Sequence, residues 1–388
     1  MTPSAAVRLL REFVAIPSVN PMGRDDLPAE VAGEARYAEA VRAELARLGL
    51  DAVVIGAKER PSVVAEARVP GARETLIVAS HLDTVPVDGM EIAPFDPVLR
   101  DGRVYGRGSC DTKAGMAALL AALARVLPAA TLRRNLVVVG EADEERGSIG
   151  VYDVLRHLGS RAPGPEGGWV IATEPTELRV VTRHKGIALS RLEARGLACH
   201  SSDPSAGRNA IVHAARAALA LDALNEKLAP RRDPWLGAGS VNVGLIGGGH
   251  APNVVPDSAW LVCDRRLLPG EDAETVRREI EEALRGAGLA EAVALAEVRI
   301  GKPPLGTDPR HYGVLLCQAA LREVGFDPAP ASVAFATDAG VFTQARGLPG
   351  VVLGPGSIAQ AHTAREWVAV PQVEAMVEIF RRILERPA

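Results

Sequence analysis

Histidine and carboxylate side chains recur in the sequence shortly after apolar runs. Open α/β sheets place their binding sites at the carboxyl ends of strands, so residues in such positions converge on one edge of a sheet. Imidazole nitrogens and carboxylate oxygens are common zinc ligands. The candidates, in chain order, are His81 and Asp83 after Thr75–Ala79, Asp111 after a Gly-rich loop, Glu144 and Glu145 after Asn135–Gly140, Glu174 after Trp169–Ala172, and His362 after Val351–Leu353.

This set of side chains predicts a centre with two metal ions. Two metals about 3.5–4 Å apart need one bridging carboxylate, and together they activate water for hydrolysis. A further carboxylate beside the ligands can serve as general base, and Glu144, next to Glu145, is placed for that role. Asp83 alternates with His81 on an extended segment, so we expect it to orient that imidazole.

Each fragment also has a plainer interpretation. A single histidine after a strand is commonly part of a loop, and an acidic run such as 143–145 is commonly a solvated helix start. Ser109 and Cys110 in the Gly-rich loop leave a nucleophilic hydrolase open, although the sequence has no Gly-x-Ser-x-Gly elbow. A non-catalytic protein that binds small molecules is the third hypothesis.

The runs that carry these residues predict an α/β catalytic domain. Continuous apolar strands that alternate with helices indicate a sheet covered by helices on both faces. Helical periodicity predicts helices over Ala29–Leu48, Lys113–Leu127 and Tyr312–Val324, and over the last apolar stripe from Val373 to Leu384.

The middle of the chain has a different order of predicted strands and helices. Its strands and helices follow the order β-α-β-β-α-β, which is the ferredoxin-like split βαβ pattern. Helices are predicted there over Ser205–Leu228 and Ala273–Arg285. We therefore predict a discontinuous catalytic domain, residues 1–183 and 301–388, with an α+β domain inserted at 184–300.

Composition excludes several classes of function. The 388-residue chain has a formal net charge of −4 and a pI near 6.1, which gives no electrostatic case for nucleic acid or an anionic membrane. Its four cysteines form no CxxC pair and fit a reducing, cytoplasmic setting. The longest apolar stretch, Ala114–Ala124, is shorter than the about 20 residues that span a bilayer and predicts a buried helix.

Taken as an ordered set, these segments resemble the M20 family of metallopeptidases and amidohydrolases, and the resemblance covers nearly the whole chain. Within the family they are most similar to the N-acetylornithine deacetylases, notably through His184-Lys185-Gly186. The matching segments are SHLDTVP (80–86), GRGSCDTKAG (106–115), EADEERGSIG (141–150), IATEPTEL (171–178), HSSDPSAGRNAI (200–211) and LGPGSIAQAHTAREWV (353–368).

The resemblance implies a zinc-peptidase-like catalytic domain with a mixed sheet and two Zn²⁺ ions per subunit, with Co²⁺ as an alternative. Asp111 would bridge the metals, Glu144 would be the general base, and Asp83 would support a histidine ligand. The implied metal ligands are His81, Asp111, Glu145, Glu174 and His362.

The resemblance further implies that the inserted domain is a lid and forms a homodimer. His200 in the lid would stabilise the oxyanion, while Asn253 and Arg266 would hold the substrate carboxylate or oxyanion. Two positions depart from the pattern. Thr112 stands where a Met is common, and Asp338 stands where the deacetylases have a Glu that would face a substrate ammonium.

The implied reaction is hydrolysis of the N-acyl amide of a small amino acid, with N2-acetyl-L-ornithine as the favoured substrate. Succinyl-diaminopimelate, other N-acyl amino acids and dipeptides are the alternatives. The expected partners are this small molecule and a second copy of the chain.

Overall fold

The structure, a computed structural model, describes residues 3–164 and 166–387. In this part of the chain the helices are α1 Ala5–Val14, α2 Ala35–Arg47, α3 Lys113–Val126, α4 Ile149–Leu158, α5 Ala210–Leu228, α6 Ala273–Gly286, α7 Tyr312–Val324, α8 Ala339–Arg346 and α9 Val370–Glu385. The strands are β1 Ala52–Gly56, β2 Pro61–Ala67, β3 Thr75–His81, β4 Val98–Arg100, β5 Arg103–Tyr105, β6 Asn135–Glu141, β7 Gly168–Ala172, β8 Val180–His184, β9 Gly186–Arg195, β10 Arg232–Asp233, β11 Gly237–Ala238, β12 Ser240–Gly248, β13 Ser258–Leu267, β14 Val293–Lys302, β15 Leu305–Gly306, β16 Pro330–Val333, β17 Gly350–Val352 and β18 Trp367–Ala369.

The chain divides into two compact units. The first unit contains the chain up to Thr182, Thr307–Ala331 and the chain from Thr337 onward. The second unit contains Arg183–Gly306 and Ser332–Ala336. The first segment of the second unit ends at Gly306, after β14 and the short strand β15.

A mixed sheet forms the centre of the first unit, with strands in the order β1-β2-β6-β3-β7-β17-β8. Strands β6, β3, β7 and β17 run parallel, whereas β1, β2 and β8 pair antiparallel with their neighbours. The predicted α/β class with a mixed sheet is therefore confirmed. The parallel arrangement brings the carboxyl ends of four strands to one edge.

Both faces of this sheet are covered, as its continuous apolar strands predict. Leu76 and Val78 of β3 belong to a large core with α1, α3, α7 and α9, while Ile77 and Ala79 belong to a second core with α4 and α8. Successive strand residues point to opposite faces, so a strand buried on both sides must be apolar throughout.

Helix α3 begins two residues after Asp111 and is buried along almost its whole length. Its Ala and Leu residues pack in the large core, as predicted for a buried helix. Over residues 3–164 and 166–387, no helix combines the length and the apolar character needed to cross a bilayer.

Two predicted helices begin later than the periodicity indicates. The first begins at Ala35, because Gly33 has a φ of 77° and the preceding residues form a turn on Pro28. The second begins at Ala210, where the Asn209 side chain accepts a hydrogen bond from the Val212 N–H at 3.2 Å. An Asn in this position satisfies an otherwise unpaired helical N–H and marks the true start.

The second unit is built on a four-stranded antiparallel sheet in the order β12-β13-β9-β14. Helices α5 and α6 pack with one face of this sheet in a separate apolar core. Residues of β9 and β13 alternate between buried and less buried positions, as expected where one face of an antiparallel sheet carries the core.

Candidate metal centre

Three parallel strands of the first unit, β3, β6 and β7, end within four residues of a predicted metal ligand. His81 is the last residue of β3, Glu145 lies four residues after β6, and Glu174 lies two residues after β7. His362 lies on the long segment between β17 and β18. The edge of the sheet at which these strands end therefore supplies ligands from segments that are far apart in the sequence.

The Asp111 carboxylate lies between two imidazoles. Its Oδ1 is 3.0 Å from Nε2 of His81, and its Oδ2 is 3.2 Å from Nε2 of His362. Each oxygen of one buried carboxylate thus faces a different histidine. This is the arrangement that a carboxylate bridging two cations requires.

The glutamates complete two overlapping groups of donor atoms. His362 Nε2 is 3.0 Å from Glu145 Oε1, and His81 Nε2 is 3.8 Å from Glu174 Oε2. The ligand atoms of each group lie within 4.8 Å of one another: His81, Asp111 and Glu145 form one group, and His81, Glu144 and Glu174 form the other. The structure therefore has a candidate metal-binding site, and its donor set of imidazole nitrogen and carboxylate oxygen fits zinc.

The electrostatics of this site favour positive charge. Burial would lower the pKa of His81, but the Glu174 and Asp111 carboxylates hold that pKa well above its ordinary value. Hydrogen bonds with Asp111 and Glu145 raise the pKa of His362 to about 10. Burial raises the pKa of Glu145 to about 7. The carboxylates thus outweigh the local cationic charge, and a bound divalent cation would balance them.

Asp83 connects the first histidine to the loop that carries the glutamates. Its backbone carbonyl oxygen is 2.9 Å from Nδ1 of His81, and its Oδ1 is 3.4 Å from the same nitrogen. Its two carboxylate oxygens also accept hydrogen bonds from the backbone N–H groups of Glu144 and Glu145, at 3.1 Å each. One buried carboxylate therefore fixes both a ligand-bearing strand end and the backbone of the predicted general base.

A buried polar network beneath this loop was not predicted from the sequence. The Asn20 side-chain amide donates to Asp83 at 2.7 Å and to Asp143 at 3.0 Å. Arg60 pairs with Asp143 at 2.8 Å and with Glu34 at 2.6 Å. These partners lie far apart along the chain, and no local spacing in the sequence signals their contact.

Two residues of the site have left-handed backbone conformations that non-glycine residues rarely adopt. Asp143, directly before Glu144, has a φ of 63°, and His362 has a φ of 62°. Strained positions persist only where surrounding contacts hold them. The Asp143 carbonyl accepts hydrogen bonds from the N–H groups of Gly147 and Ser148, which closes the loop.

Thr112, the first departure from the family pattern, contacts the segment of another predicted ligand. Its hydroxyl donates to the carbonyl oxygen of Thr173, directly before Glu174. The threonine thus links the segment of Asp111 to that of Glu174, a contact that the sequence did not indicate.

Asp338, the second departure, is buried at the start of α8. Its Oδ1 accepts a hydrogen bond from the Ser148 hydroxyl at 2.7 Å. This contact joins Asp338 to the end of the loop that carries Glu144 and Glu145. Its predicted contact with a substrate amine stays a prediction.

The other predicted substrate residues lie in the second unit. His200 is exposed, and its Nδ1 is 2.7 Å from the hydroxyl of Ser202. Asn253 is also exposed, and its backbone carbonyl oxygen accepts a hydrogen bond from the backbone N–H of Ser201, the residue after His200. Arg266 lies on β13 and pairs with Asp264 at 3.0 Å. Their roles toward a substrate stay predictions.

The alternative nucleophile Cys110 has the features of a structural thiol. It is 1% exposed, and its sulfur lies 3.3 Å from the carbonyl oxygen of Ser357. Burial raises its pKa well above the ordinary thiol value. A reactive cysteine needs the opposite shift and some exposure, so these properties weigh against a cysteine hydrolase.

Comparisons with known proteins agree with this fold. Peptidase family M20/M25/M40 matches residues 77–386. Acetylornithine deacetylase of Myxococcus xanthus is 34% identical over 315 residues, which cover 80% of this chain and 79% of that protein. Succinyl-diaminopimelate desuccinylase of Paracidovorax citrulli is 32% identical over 324 residues, which cover 80% of each chain. The crystal structure of aminopeptidase PepT from Bacillus cereus has the same fold, with a TM-score of 0.78 at 22% identity, covering 98% of this chain and 97% of that one.

Fold and donor set together define an α/β protein with a candidate metal centre at the carboxyl ends of its parallel strands. The chain belongs to peptidase family M20/M25/M40, a family of metal-dependent hydrolases. The resemblance to the M20 family predicted from the sequence is thereby confirmed.

Proposed function

We propose that this chain is a two-metal amidohydrolase that removes the acyl group from the nitrogen of a small amino acid. The observation that carries the proposal is the Asp111 carboxylate, which presents one oxygen to His81 and the other to His362. The favoured reaction is hydrolysis of N2-acetyl-L-ornithine to L-ornithine and acetate, a step of arginine biosynthesis. Support for this substrate comes from the relative at 34% identity that bears the name acetylornithine deacetylase.

The proposed ligands divide into two sets that share Asp111. His81 and Glu174 would complete one Zn²⁺ site, and Glu145 and His362 the other, with Co²⁺ as an alternative metal. When bound, the two ions supply Lewis-acid polarisation of the amide carbonyl and lower the pKa of water.

Glu144 is the proposed general base. It is 6% exposed, its backbone N–H is held by Asp83, and one of its carboxylate oxygens lies within 4.8 Å of the ligand atoms of His81 and Glu174. It takes a proton from the attacking water and delivers it to the departing amine. Asp83 keeps the His81 ring oriented through the contact with Nδ1.

Residues of the second unit complete the proposal as substrate contacts. His200 would donate to the oxyanion, and Arg266 with Asn253 would hold the amino-acid carboxylate. The second unit would act as a lid and as the surface of a homodimer. Asp338 would meet the substrate amine. A cytoplasmic location belongs to the same proposal and is supported by the free state of all four cysteines.

The test is metal-dependent hydrolysis of a panel of substrates. The protein is stripped with a chelator and reloaded with Zn²⁺ or Co²⁺. Release of free amine is then followed from N-acetylornithine, N-acetylcitrulline, N-acetylmethionine, succinyl-diaminopimelate and a dipeptide. We expect turnover of N-acetylornithine that disappears with the metal and returns with it.

Each other outcome moves the proposal in a defined direction. Preference for succinyl-diaminopimelate would keep the hydrolase and replace its substrate, in line with the relative at 32% identity that bears that name. Activity that survives complete removal of metal would overturn the two-metal proposal. Absence of turnover with two metals bound would overturn the proposed substrates and favour a binding protein.

A further inference from the structure

A buried ion pair between Arg107 and Glu366 lies next to the candidate metal centre. The Arg107 Nη1 and Glu366 Oε2 atoms are 2.7 Å apart, and the side chains are 3% and 0% exposed. Arg107 precedes Asp111 on one segment, and Glu366 follows His362 on another. The pair therefore joins two segments of the chain that each carry a predicted metal ligand.

Glu366 holds the backbone of Asp111 directly. Its Oε1 accepts hydrogen bonds from the N–H group of Asp111 at 3.1 Å and from that of Cys110 at 2.9 Å. The Glu366 carbonyl oxygen also accepts a hydrogen bond from the Gly106 N–H at 3.1 Å. These three contacts fix the path of the loop on both sides of Arg107.

Arg107 reaches the segments of both predicted histidine ligands. Its Nη2 donates a hydrogen bond to the carbonyl oxygen of Pro86 at 3.1 Å, and Pro86 lies five residues after His81. Its Nη1 also lies 3.4 Å from the carbonyl oxygen of Thr363, directly after His362. A single guanidinium thus contacts the backbone directly after His362 and the backbone five residues after His81.

The geometry of the site makes this fixation relevant to metal binding. Asp111 faces His81 and His362 with separate oxygens at 3.0 and 3.2 Å, so a small shift of its backbone would lengthen one distance or both. A buried ion pair contributes little net stability over apolar packing of the same volume. The contacts of this pair lie at ligand-bearing segments, where orientation has a direct effect on the donor atoms.

We propose that Arg107 and Glu366 are positioning residues, which hold Asp111 and His362 in the geometry that binds the metals. The inference rests on the proposed metal-dependent function. It adds two residues that do not themselves contact the metal.

The test compares Glu366→Gln with a matched control, Glu74→Gln, at the amino ends of the strands of the central sheet. Glu74 pairs with the buried Arg134 at 2.7 Å, and these residues directly precede β3 and β6. Glu74→Gln therefore weakens a buried ion pair at the amino ends of the strands, away from the ligands. Both variants are stripped with a chelator, and their Zn²⁺ affinity is measured by competition with a chromophoric chelator.

We expect Glu366→Gln to weaken Zn²⁺ binding by roughly 10–100-fold, which is the usual effect of losing a residue that orients a metal ligand by hydrogen bonds. The visible absorption of the Co²⁺-loaded variant should change as well, because the ligand geometry changes. Glu74→Gln should bind Zn²⁺ with wild-type affinity and give the wild-type Co²⁺ spectrum. Equal loss in both variants would show a general stability effect and overturn the proposal.

Arg107→Lys provides a second variant if Glu366→Gln does not fold. It keeps the positive charge beside Glu366 but loses the planar fork that reaches Pro86 and Thr363. We expect a loss of Zn²⁺ affinity of roughly tenfold. Wild-type affinity and spectrum in a folded Glu366→Gln or Arg107→Lys variant would overturn this inference alone. A wild-type protein that binds no metal would overturn the proposed function together with it.

Discussion

The predicted functional residues of the two units differ in how they are held. In the first unit, His81 and Asp111 are buried and contact each other, and Asp83 holds the neighbouring backbone. In the second unit, His200 and Asn253 are exposed; the His200 side chain contacts Ser202, and the Asn253 backbone contacts that of Ser201. The candidate metal centre therefore includes buried side chains that contact one another at the carboxyl ends of the strands. His200 and Asn253, by contrast, lie in loops of the second unit.

The largest expected effect is at the centre of the organised region. Asp111→Ala removes the donor that both proposed metal sites share, so we expect both metals to bind weakly and turnover to vanish. The loss of metal affinity should exceed roughly 100-fold, which is the upper limit for changing a residue that only hydrogen-bonds to a metal ligand. Metal content after dialysis, measured by atomic spectroscopy, checks this. An active variant that retains two ions per chain would remove Asp111 from the bridging role.

The next effect separates chemistry from metal binding in the same region. Glu144→Gln keeps the shape of the side chain but removes its proton-accepting charge. We expect unchanged metal content and a fall in kcat of roughly 10²–10⁴-fold, the usual contribution of a positioned general base. Steady-state kinetics on the metal-loaded variant measures this. Normal turnover would assign the proton transfer to another group.

A smaller effect is expected from the second unit. His200→Ala should lower kcat by roughly 10²–10³-fold, the loss typical of one oxyanion donor, while metal content and folding stay unchanged. His213, a half-buried histidine on α5 of the same unit, provides the control, and His213→Ala should leave kcat unchanged. Equal activity of both variants would make His200 an ordinary surface residue.

The smallest effect is the release of protons when Zn²⁺ binds. It tests whether the charges of the candidate metal site in the first unit favour a bound cation. The pKa of His362 is raised to about 10, and that of His81 is also raised, so both rings carry protons at pH 7. Metal ligation requires neutral imidazoles, so Zn²⁺ binding at pH 7 should release protons from these rings. Calorimetry in buffers of different ionisation enthalpy measures the number of protons released. Binding that leaves the proton count unchanged would contradict the assigned ligands.

The same pKa shift sets the sign of a pH effect on the chelator-treated protein. A folded-state pKa of about 10 lies above the ordinary value of a histidine, so the stabilisation from His362 is complete below about pH 6.5. It is lost as the pH rises through 10. The melting temperature of the chelator-treated protein should therefore fall over this interval, and less so in His362→Gln.

The sequence indicated the residues of the candidate metal centre, but it did not indicate the buried residues that support them. Strands such as Thr75–His81 are predicted by a continuous apolar run, and the candidate ligands lie at or shortly after the ends of these strands. The edge strand β1 was not predicted, although Val53, Val54 and Ile55 are β-branched residues, which favour strands. Contacts such as Asn20 with Asp83, or Arg107 with Glu366, join residues far apart in the chain, and neither partner carries a local sign of the other.

The position of Asp111 between His81 and His362 has a consequence for the newly made protein. His81 and His362 lie far apart in the sequence, so the ribosome adds them at very different times. At roughly 5–20 residues per second, the interval between them is on the order of tens of seconds. A nascent chain can thus complete the second proposed metal site only after His362 has been added, long after His81 has left the ribosomal active centre.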